Sequence, residues 1–348
     1  MIEVRLFKHL LEFKQPSGTS RGVLTDKPSW IFEAIHPSGR IVQGESSVIP
    51  GLSPDFYSEG EYVFLLKIAK VHLEHFINSQ GKTKEFLLKA RETWSNEPSI
   101  LFALEMFVLK WENSGEFVFD NDVTKGVLPI PINGLVWMGS VDFMSRQIEE
   151  KLKAGFKTVK MKIGAIDLDD ELELLFGVRR RFSASDITLR VDANGAFNEK
   201  NVRSVLKSLR ELEIHSIEQP IAIGQKELMR DLCKENIIPI ALDEELIGVN
   251  HRNEKEDLLQ FIQPQFIILK PSLHGGITGC KEWIEIAQNL KMDWWMTSAL
   301  ESSIGLDAIA QFLGEYNIIL PQGLGTGALY TNNFESDWKV ENGFLVKS

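Results

Sequence analysis

The sequence has few of the features that mark secreted, membrane-bound or redox-active proteins. It holds only two cysteines in 348 residues, Cys233 and Cys280, and neither stands in a CxxC or other metal-binding spacing. Two isolated cysteines predict buried thiols rather than a disulfide or metal ligands. No run of about eighteen apolar residues predicts a membrane span, and the start, MIEVRLFKHLLEF, lacks the apolar core of a signal peptide. We therefore expect a cytoplasmic protein.

Basic charge is also scarce. Lysine and arginine total 38 against 49 aspartates and glutamates, which gives a net charge of −11, and no basic run occurs. This balance predicts neither a nucleic-acid partner nor a membrane surface. If the ligand is a small anion, a local group of positively charged residues has to attract it. The sequence contains no signal for one particular oligomeric state.

The chain is longer than one barrel domain. Its 348 residues and 43% hydrophobic content support a large core, whereas a (β/α)8 barrel needs roughly 250 residues. Three β-type runs split by turns begin the chain, and apolar residues at helical spacing follow them. We predict an α+β domain over residues 1–115, a barrel domain over 116–330, and a tail, 331–348, that returns to the first domain.

Charged residues follow successive β-rich runs at intervals of 25 to 30 residues. They are Lys162, Asp192, Glu218, Asp243 and Lys270. The period matches one strand, loop and helix, and it predicts parallel strands whose carboxyl ends meet in one mouth. Eight strands are predicted, near 127–134, 157–163, 187–192, 214–219, 238–243, 265–270, 292–298 and 317–320. The predicted fold class is α/β, a (β/α)8-type TIM barrel, and a modified (β/α)7β barrel with seven helices fits as well.

The three carboxylates at these strand ends predict a metal site. Asp192, Glu218 and Asp243 supply hard oxygen ligands without a matching histidine or cysteine, so they favour Mg²⁺ over zinc, with Mn²⁺ as a substitute. Clustered carboxylates without a cation would repel one another. For each acid taken singly, an N-cap or a loop salt bridge is the simpler explanation.

Lysines flank the predicted metal site. Lys160 and Lys162 are two apart in TVKMK, so that on a strand they share a face. A neighbouring cation lowers the pKa of a lysine, which would make one of the pair a neutral base near pH 7. Two exposed edge lysines are the alternative. Lys270 lies on the opposite arc of an evenly closed barrel, where it faces Lys162 across the metal, or merely pairs with Asp243 or Glu244.

Taken together, these motifs resemble the enolase superfamily, in its muconate-lactonizing branch. The motifs are, in order, KMK, VDANGAF, IEQP, LDEE, LKPSLHGG, TSALESSIG and GLGTG. The resemblance covers residues 127–327 strongly and implies that the N-terminal domain caps the barrel. It implies that Lys162 is the base that takes a proton beside a carboxylate, that Lys160 tunes it, and that Lys270 stabilises the resulting ene-diolate. The three acids match the Mg²⁺ ligands of the family, and Asn194 and Glu244 are expected directly behind them.

The resemblance also implies a small carboxylate as the substrate. The expected reaction is Mg²⁺-dependent syn dehydration of a succinyl-bearing cyclohexadiene carboxylate to an aromatic ring. Racemisation of N-succinylamino acids and epimerisation of dipeptides are the rivals within the superfamily, although GLGTG lacks the acidic DxD motif usual in dipeptide epimerases. A Schiff-base aldolase, which needs no metal, and a barrel kept only for binding are the alternatives from other classes.

Substrate-binding residues are predicted in the loops. Ser298 follows the seventh predicted strand, and Gly323 and Gly325 follow the eighth, where backbone N–H groups can approach a carboxylate closely. Arg21, in GTSRG of the first domain, would meet an anion from a mobile lid. A solvated turn arginine is an equal alternative.

Overall fold

The N-terminal region forms an antiparallel sheet with three helices. In the computed structural model, which describes residues 1–19 and 22–348, the sheet has the order β1-β2-β3. Its elements are β1 (Arg5–Thr19), β2 (Gly22–Ile35), β3 (Ile41–Ser47), α1 (Glu59–Asn78), α2 (Thr83–Thr93) and α3 (Pro98–Glu112). The predicted α+β architecture is confirmed. The prediction for Arg21 lies outside the described residues, and the boundary near residue 115 stays a prediction.

Helix α3 joins this region to the rest of the chain. It begins with Pro98, whose fixed φ suits the first helical turn, and every residue from Pro98 to Val108 is buried. A helix that is buried on all sides packs between two layers rather than at a surface. Its Glu105 accepts a hydrogen bond from the Thr278 N–H at 3.1 Å, so it fastens the N-terminal region to a barrel helix.

The remainder of the chain is a parallel barrel with helices outside. Seven strands pair in the order β11-β10-β9-β8-β7-β6-β5. The elements are β4 (Ile130–Pro131), β5 (Gly134–Val136), α4 (Val141–Lys153), β6 (Thr158–Lys162), α5 (Leu168–Arg179), β7 (Thr188–Asp192), α6 (Val202–Glu211), β8 (Ser216–Glu218), α7 (Lys226–Glu235), β9 (Ile240–Leu242), α8 (Arg252–Ile262), β10 (Phe266–Leu269), α9 (Gly276–Asn289), β11 (Asp293–Met296) and α10 (Ser303–Leu313). Short 3₁₀ turns occupy Glu244–Leu246 and Gly327–Leu329.

The eighth strand is reduced to two single bridges. Gln322 pairs in parallel with Ile132, and Gly323 pairs with Thr297, so this segment closes the sheet between its first and last strands. The predicted strand at 317–320 is therefore placed too early. Its apolar run does not join the ladder, and Ile319 is exposed. With seven helices between strands in the described part of the chain, the barrel takes the predicted (β/α)7β form.

The C-terminal tail divides between the two regions. The Thr331 N–H donates to the Glu12 carbonyl of β1 at 2.9 Å. The hairpin of β12 (Trp338–Glu341) and β13 (Phe344–Lys347) instead pairs with β4 of the barrel. The expectation that the whole tail returns to the first domain is thus wrong for the hairpin, because Trp338 and Leu345 bury their side chains in the barrel core.

Two larger hydrophobic cores and the free thiols complete the fold. One core fills the barrel and its helices, and the other lies between the N-terminal sheet and its helices. Cys233 and Cys280 are free and buried, as predicted.

Among the residues that the structure describes, no helix has the length and apolar character needed to cross a bilayer.

Candidate active site

The charged residues of the sequence pattern meet at one end of the barrel. They lie at successive strand ends: Lys160 and Lys162 on β6, Asp192 on β7, Glu218 on β8, Asp243 after β9 and Lys270 after β10. The parallel register sets Lys162 beside Asp192, and Asp192 beside Glu218. All six line a single pocket, at the barrel face where the loops after the strands supply chemistry.

Both lysines of β6 point into this pocket. The Nζ atoms of Lys160 and Lys162 each lie 3.0 Å from Oδ2 of Asp192, and Lys160 lies 2.6 Å from Oε2 of Glu218. Their side chains are 10% and 11% exposed. The alternative of exposed edge lysines is therefore wrong, and the buried ammonium groups are paired as buried charges must be.

Lys270 occupies the opposite side of the mouth. Its strand, β10, lies four positions from β6 in the sheet order, which is the far side of a ring of eight strands. Its Nζ forms an ion pair with Oδ2 of Asp243. Burial lowers the pKa of Lys270, but Asp243, Glu218 and Glu244 outweigh burial and raise it. Lys270 therefore faces Lys162 across the carboxylates and also pairs with Asp243.

The neighbouring carboxylates control the charge of Lys160. Burial alone would lower its pKa, but the charges of Asp192 and Glu218 outweigh burial, so the pKa of Lys160 is raised. Lys160 is therefore the charged member of the pair, and that Lys162 is the base stays a prediction. Repulsion between two cations is the weaker influence when acids from two adjacent strands contact the same amine.

The lysine charges do not offset the burial of the three carboxylates equally. Burial raises the pKa of Asp192, but Lys160 and Lys162 outweigh it and lower the pKa. The pKa of Asp243 is lowered in the same way by Lys270. Burial raises the pKa of Glu218 to about 8, helped by the repulsion of Asp192. Glu218, the middle acid of the three, thus has Asp192 and Asp243 on either side, and burial together with these two charges outweighs Lys160 and Lys270.

These features fit a hard divalent cation. The donor set contains only carboxylate oxygens, and Oδ1 of Asp243 is buried without a hydrogen bond among the described residues. Within that part of the chain, no three His, Cys, Asp or Glu side chains form a ready-made ligand set. Instead, Asp192, Glu218 and Asp243 each direct an oxygen at a lysine. A bound cation would have to share these oxygens with the lysines or displace the lysine ammonium groups from them.

Asn194 links the base candidate to the acids. Its Oδ1 accepts a hydrogen bond from Nζ of Lys162 at 2.6 Å, and its Nδ2 donates to Oε1 of Glu244 at 3.0 Å. Its backbone N–H donates to Oδ1 of Asp192 at 3.1 Å. Asn194 has a φ of 43°, a left-handed conformation that asparagine tolerates. Asn194 therefore contacts Lys162, Asp192 and Glu244, and the orienting role of Asn194 and Glu244 stays a prediction.

The predicted loop residues form the pocket wall. Ser298, Gly323 and Gly325 all line it, but the Ser298 N–H donates to the Gly323 carbonyl at 3.2 Å and the Gly323 N–H donates to Met296 at 2.7 Å. The prediction that the Gly323 N–H binds a carboxylate is therefore wrong, because this N–H is used in closing the barrel. A Cβ at Gly323 would lie 2.3 Å from Oγ1 of Thr297, so close packing requires glycine here.

Two polar pocket residues were missed from the sequence. Asn133 and Thr326 are 4% and 7% exposed, and Oδ1 of Asn133 and Oγ1 of Thr326 make no hydrogen bond among the described residues. Both line the pocket. The signals were the position of Asn133 just after a strand and of Thr326 inside GLGTG. Apolar wall comes from both regions, through Trp137 of the barrel and through Leu24 and Ile49 of the N-terminal region.

Replacing Lys160 by methionine should destabilise the metal-free protein by about 3–5 kcal/mol, because Asp192 and Glu218 then lose a buried partner. Added Mg²⁺ should recover part of that loss. Urea unfolding with and without Mg²⁺ measures both effects. Lys157→Met, at an exposed lysine of the same segment, is the control. Equal stability of the two variants would show that the ion pairs contribute little.

Comparisons with known proteins agree with this geometry. Residues 144–346 match the family model described as enolase C-terminal domain-like. The o-succinylbenzoate synthase of Desulfotalea psychrophila (strain LSv54 / DSM 12343) is 44% identical over 355 residues, which is 96% of each chain. The crystal structure of MenC from Desulfotalea psychrophila LSv54 has a TM-score of 0.85 and 40% identity, and it covers 99% of both chains.

A more distant structure shows how widely the fold is shared. The L-Ala-D/L-Glu epimerase from Bacillus subtilis has a TM-score of 0.80 at 19% identity, over 100% of this chain and 96% of that one. Its likeness concerns the fold alone. The family match and the 44% identity over nearly the whole chain go further. The chain belongs to the enolase superfamily and, within it, to the o-succinylbenzoate synthase family of hydro-lyase enzymes.

Proposed function

We propose that the chain dehydrates 2-succinyl-6-hydroxy-2,4-cyclohexadiene-1-carboxylate to o-succinylbenzoate, as a step of menaquinone biosynthesis. The observation that carries the proposal is the placement of Lys162 and Lys270 on opposite arcs of one mouth, with three carboxylates between them. The 44% identity to a synthase of that name supports it.

In this proposal Asp192, Glu218 and Asp243 would hold Mg²⁺, or Mn²⁺ as a substitute. When bound, the cation supplies positive charge that neutralises the substrate carboxylate as its neighbouring C–H bond breaks. The buried oxygen of Asp243 and the raised pKa of Glu218 both support a missing positive charge at this place.

Lys162 would act as the base from its neutral form. Its Nζ takes the proton from the carbon beside the carboxylate, and the electron pair of that C–H bond moves into the ring. The ammonium group then gives the proton to the departing hydroxyl, which leaves as water from the same face. Asn194 and Asp192 hold Nζ of Lys162 in place for both transfers.

Lys270 would act from the other face of the ring as a permanent cation. Its raised pKa, with Asp243, Glu218 and Glu244 nearby, keeps it charged. A cation facing an aromatic or developing aromatic ring is attracted to its electrons and stabilises negative charge there. Because Lys270 does not gain or lose a proton in this scheme, both proton transfers fall to Lys162 and give a syn elimination.

The rest of the pocket would hold the succinyl side chain. Ser298, Asn133 and Thr326 offer polar atoms, and Leu24 and Trp137 offer apolar contact. The N-terminal region thus contributes to the pocket directly. That Arg21 meets an anion stays a prediction, as does a cytoplasmic location.

A substrate panel tests the proposal. With Mg²⁺, we expect kcat/KM on the cyclohexadiene carboxylate to exceed that on N-succinylamino acids and on dipeptides by at least about 10²-fold, because polar pocket groups reject ligands that leave them unpaired. A preference for N-succinylamino acids would make the protein a racemase, and a preference for dipeptides an epimerase. Gly323 and Gly325 stand where epimerases usually carry acids, so the second outcome would contradict the pocket chemistry as well.

A further inference from the structure

A second buried charge cluster lies behind the pocket wall, where the N-terminal sheet meets the barrel. It consists of Lys27 on β2, Glu45 on β3 and Glu301, which precedes α10. Lys27 is 1% exposed, and Glu45 and Glu301 are 0% exposed. Nζ of Lys27 bonds to Oγ of Ser29 at 3.4 Å and to Oγ of Ser47, and the two carboxyl groups act on it through their charge. Full ionisation of all three groups would leave a net negative charge buried there.

Hydrogen-bond donors surround Glu45. It accepts hydrogen bonds from Oγ of Ser29 at 2.7 Å, from the N–H and Oγ of Ser302 at 2.9 and 2.6 Å, and from the Gly305 N–H at 2.9 Å. Backbone N–H groups only donate, and these two lie at the start of α10, where negative charge is favoured. These fixed donors favour negative charge at Glu45, which lies close enough to Lys27 to act on it electrostatically.

Glu301 has a different set of partners. Its Oε1 and Oε2 bind Oγ of Ser272 and Oγ of Ser298, each at 2.6 Å. A hydroxyl donates or accepts, so both contacts persist when the carboxyl group is protonated. Burial raises the pKa of Glu301, against the opposing effects of Ser272, Ser298 and Lys27. Charge balance and bonding chemistry therefore both place the spare proton on Glu301.

The proton on Glu301 decides what Ser298 presents to the pocket. Oγ of Ser298 already accepts the Glu301 N–H at 3.1 Å. If Glu301 is ionised, the one hydrogen of this hydroxyl is turned away from the pocket toward Oε2. If Glu301 is protonated on Oε2, it donates to Oγ of Ser298, and the hydrogen of Ser298 is free to point into the pocket.

We propose that Glu301 is a positioning residue that holds a proton and thereby makes Ser298 a hydrogen-bond donor to a carboxylate of the substrate. The inference rests on the proposed function, since the succinyl group supplies that carboxylate. Lys27 and Glu45, on two strands of the N-terminal sheet, keep the charge balance in which this proton is retained.

The other ionisable groups that face Glu301 do not change charge in its place. Tyr330 and Cys280 interact with it, but burial raises the pKa of each far above neutrality. Burial lowers the pKa of Lys27, against the charges of Glu45 and Glu301, and loss of that proton would only add to the negative balance. As pH rises, the substrate KM should therefore stay low below the pKa of Glu301 and increase above it.

Two substitutions test the assignment. In Glu301→Gln the amide N–H donates to Ser298 at every pH, so KM should stay low and lose its increase at high pH. In Glu301→Leu the donor is absent, and KM should rise about 10- to 100-fold, with a smaller change in kcat. The matched control is Glu285→Gln, at an exposed glutamate on α9 that pairs with Arg252, which should keep the wild-type profile.

Infrared difference spectra supply a readout that needs no turnover. Subtracting Glu301→Gln from wild type should reveal the C=O band of a protonated carboxyl group. A difference that contains only carboxylate bands would overturn the proposal, as would a pH profile of KM in Glu301→Gln that follows wild type. If wild type fails to turn over the cyclohexadiene carboxylate, the proposed function falls, while the spectra still decide the state of Glu301.

Discussion

Replacing Lys162 by alanine is expected to lower kcat by about 10³- to 10⁴-fold, because the same amine takes the proton from carbon and returns it to the leaving hydroxyl. The fold should survive, since Lys160 still pairs with Asp192 at 3.0 Å. Asn194 and Glu244 also remain bonded to each other. The loss should therefore appear in the chemical step and not in stability.

Steady-state kinetics and thermal unfolding of the Lys162→Ala variant measure the two quantities separately. Lys207→Ala, which truncates an exposed lysine on α6, is the control and should behave as wild type in both. Turnover of Lys162→Ala near the wild-type rate would remove Lys162 from the role of base. Trapping of substrate by borohydride, with activity that persists in EDTA, would instead favour Schiff-base chemistry.

Glu218→Gln is the second change with a large expected effect. The substitution keeps the shape of the side chain but removes the charge of the middle acid, which lies between Asp192 and Asp243 in the strand order. We expect turnover at a fixed Mg²⁺ concentration to fall by about 10³-fold, since charge stabilisation by a bound metal is worth several kcal/mol. EDTA should abolish wild-type turnover, and Mg²⁺ should restore it.

Calorimetric titration with Mg²⁺ separates loss of binding from loss of chemistry in Glu218→Gln. Glu213→Gln removes the charge of an exposed glutamate shortly before β8 and should bind Mg²⁺ like wild type. Equal Mg²⁺ affinity of the Glu218→Gln variant and wild type would show that Glu218 is not a ligand.

The sequence predicted the barrel and the meeting of its charged residues because both depend on period and position. A charge directly after a short buried strand has to lie at the rim, and repetition of that pattern fixes which rim. The last strand does not follow this logic. Its pairing consists of bridges at Gln322 and Gly323, which leave no alternating or apolar pattern to find.

Electrostatic properties were harder to predict, because they depend on neighbours that are distant in sequence. The pair Lys160 and Lys162 predicts repulsion, whereas the structure surrounds Lys160 with acids from two other strands. Glu301 stands in the conspicuous segment TSALESSIG, but its significance depends on Lys27 and Glu45 in the other region of the fold. Asn133 and Thr326 carry no charge and belong to no repeat, so only their positions, just after a strand and inside GLGTG, could have indicated them.

The contact of α3 with α9 limits how this protein can be recombined. Glu105 accepts a hydrogen bond from the Thr278 N–H, and a Cβ at Gly276 would lie 2.2 Å from Oε2 of Glu105. A chimaera that joins this barrel to the N-terminal half of a relative would inherit one partner of this junction without the other. Chimaeras within the family should therefore fold only when α3 and α9 come from the same protein. Substitutions at Glu105 should accordingly be accompanied by substitutions at Gly276.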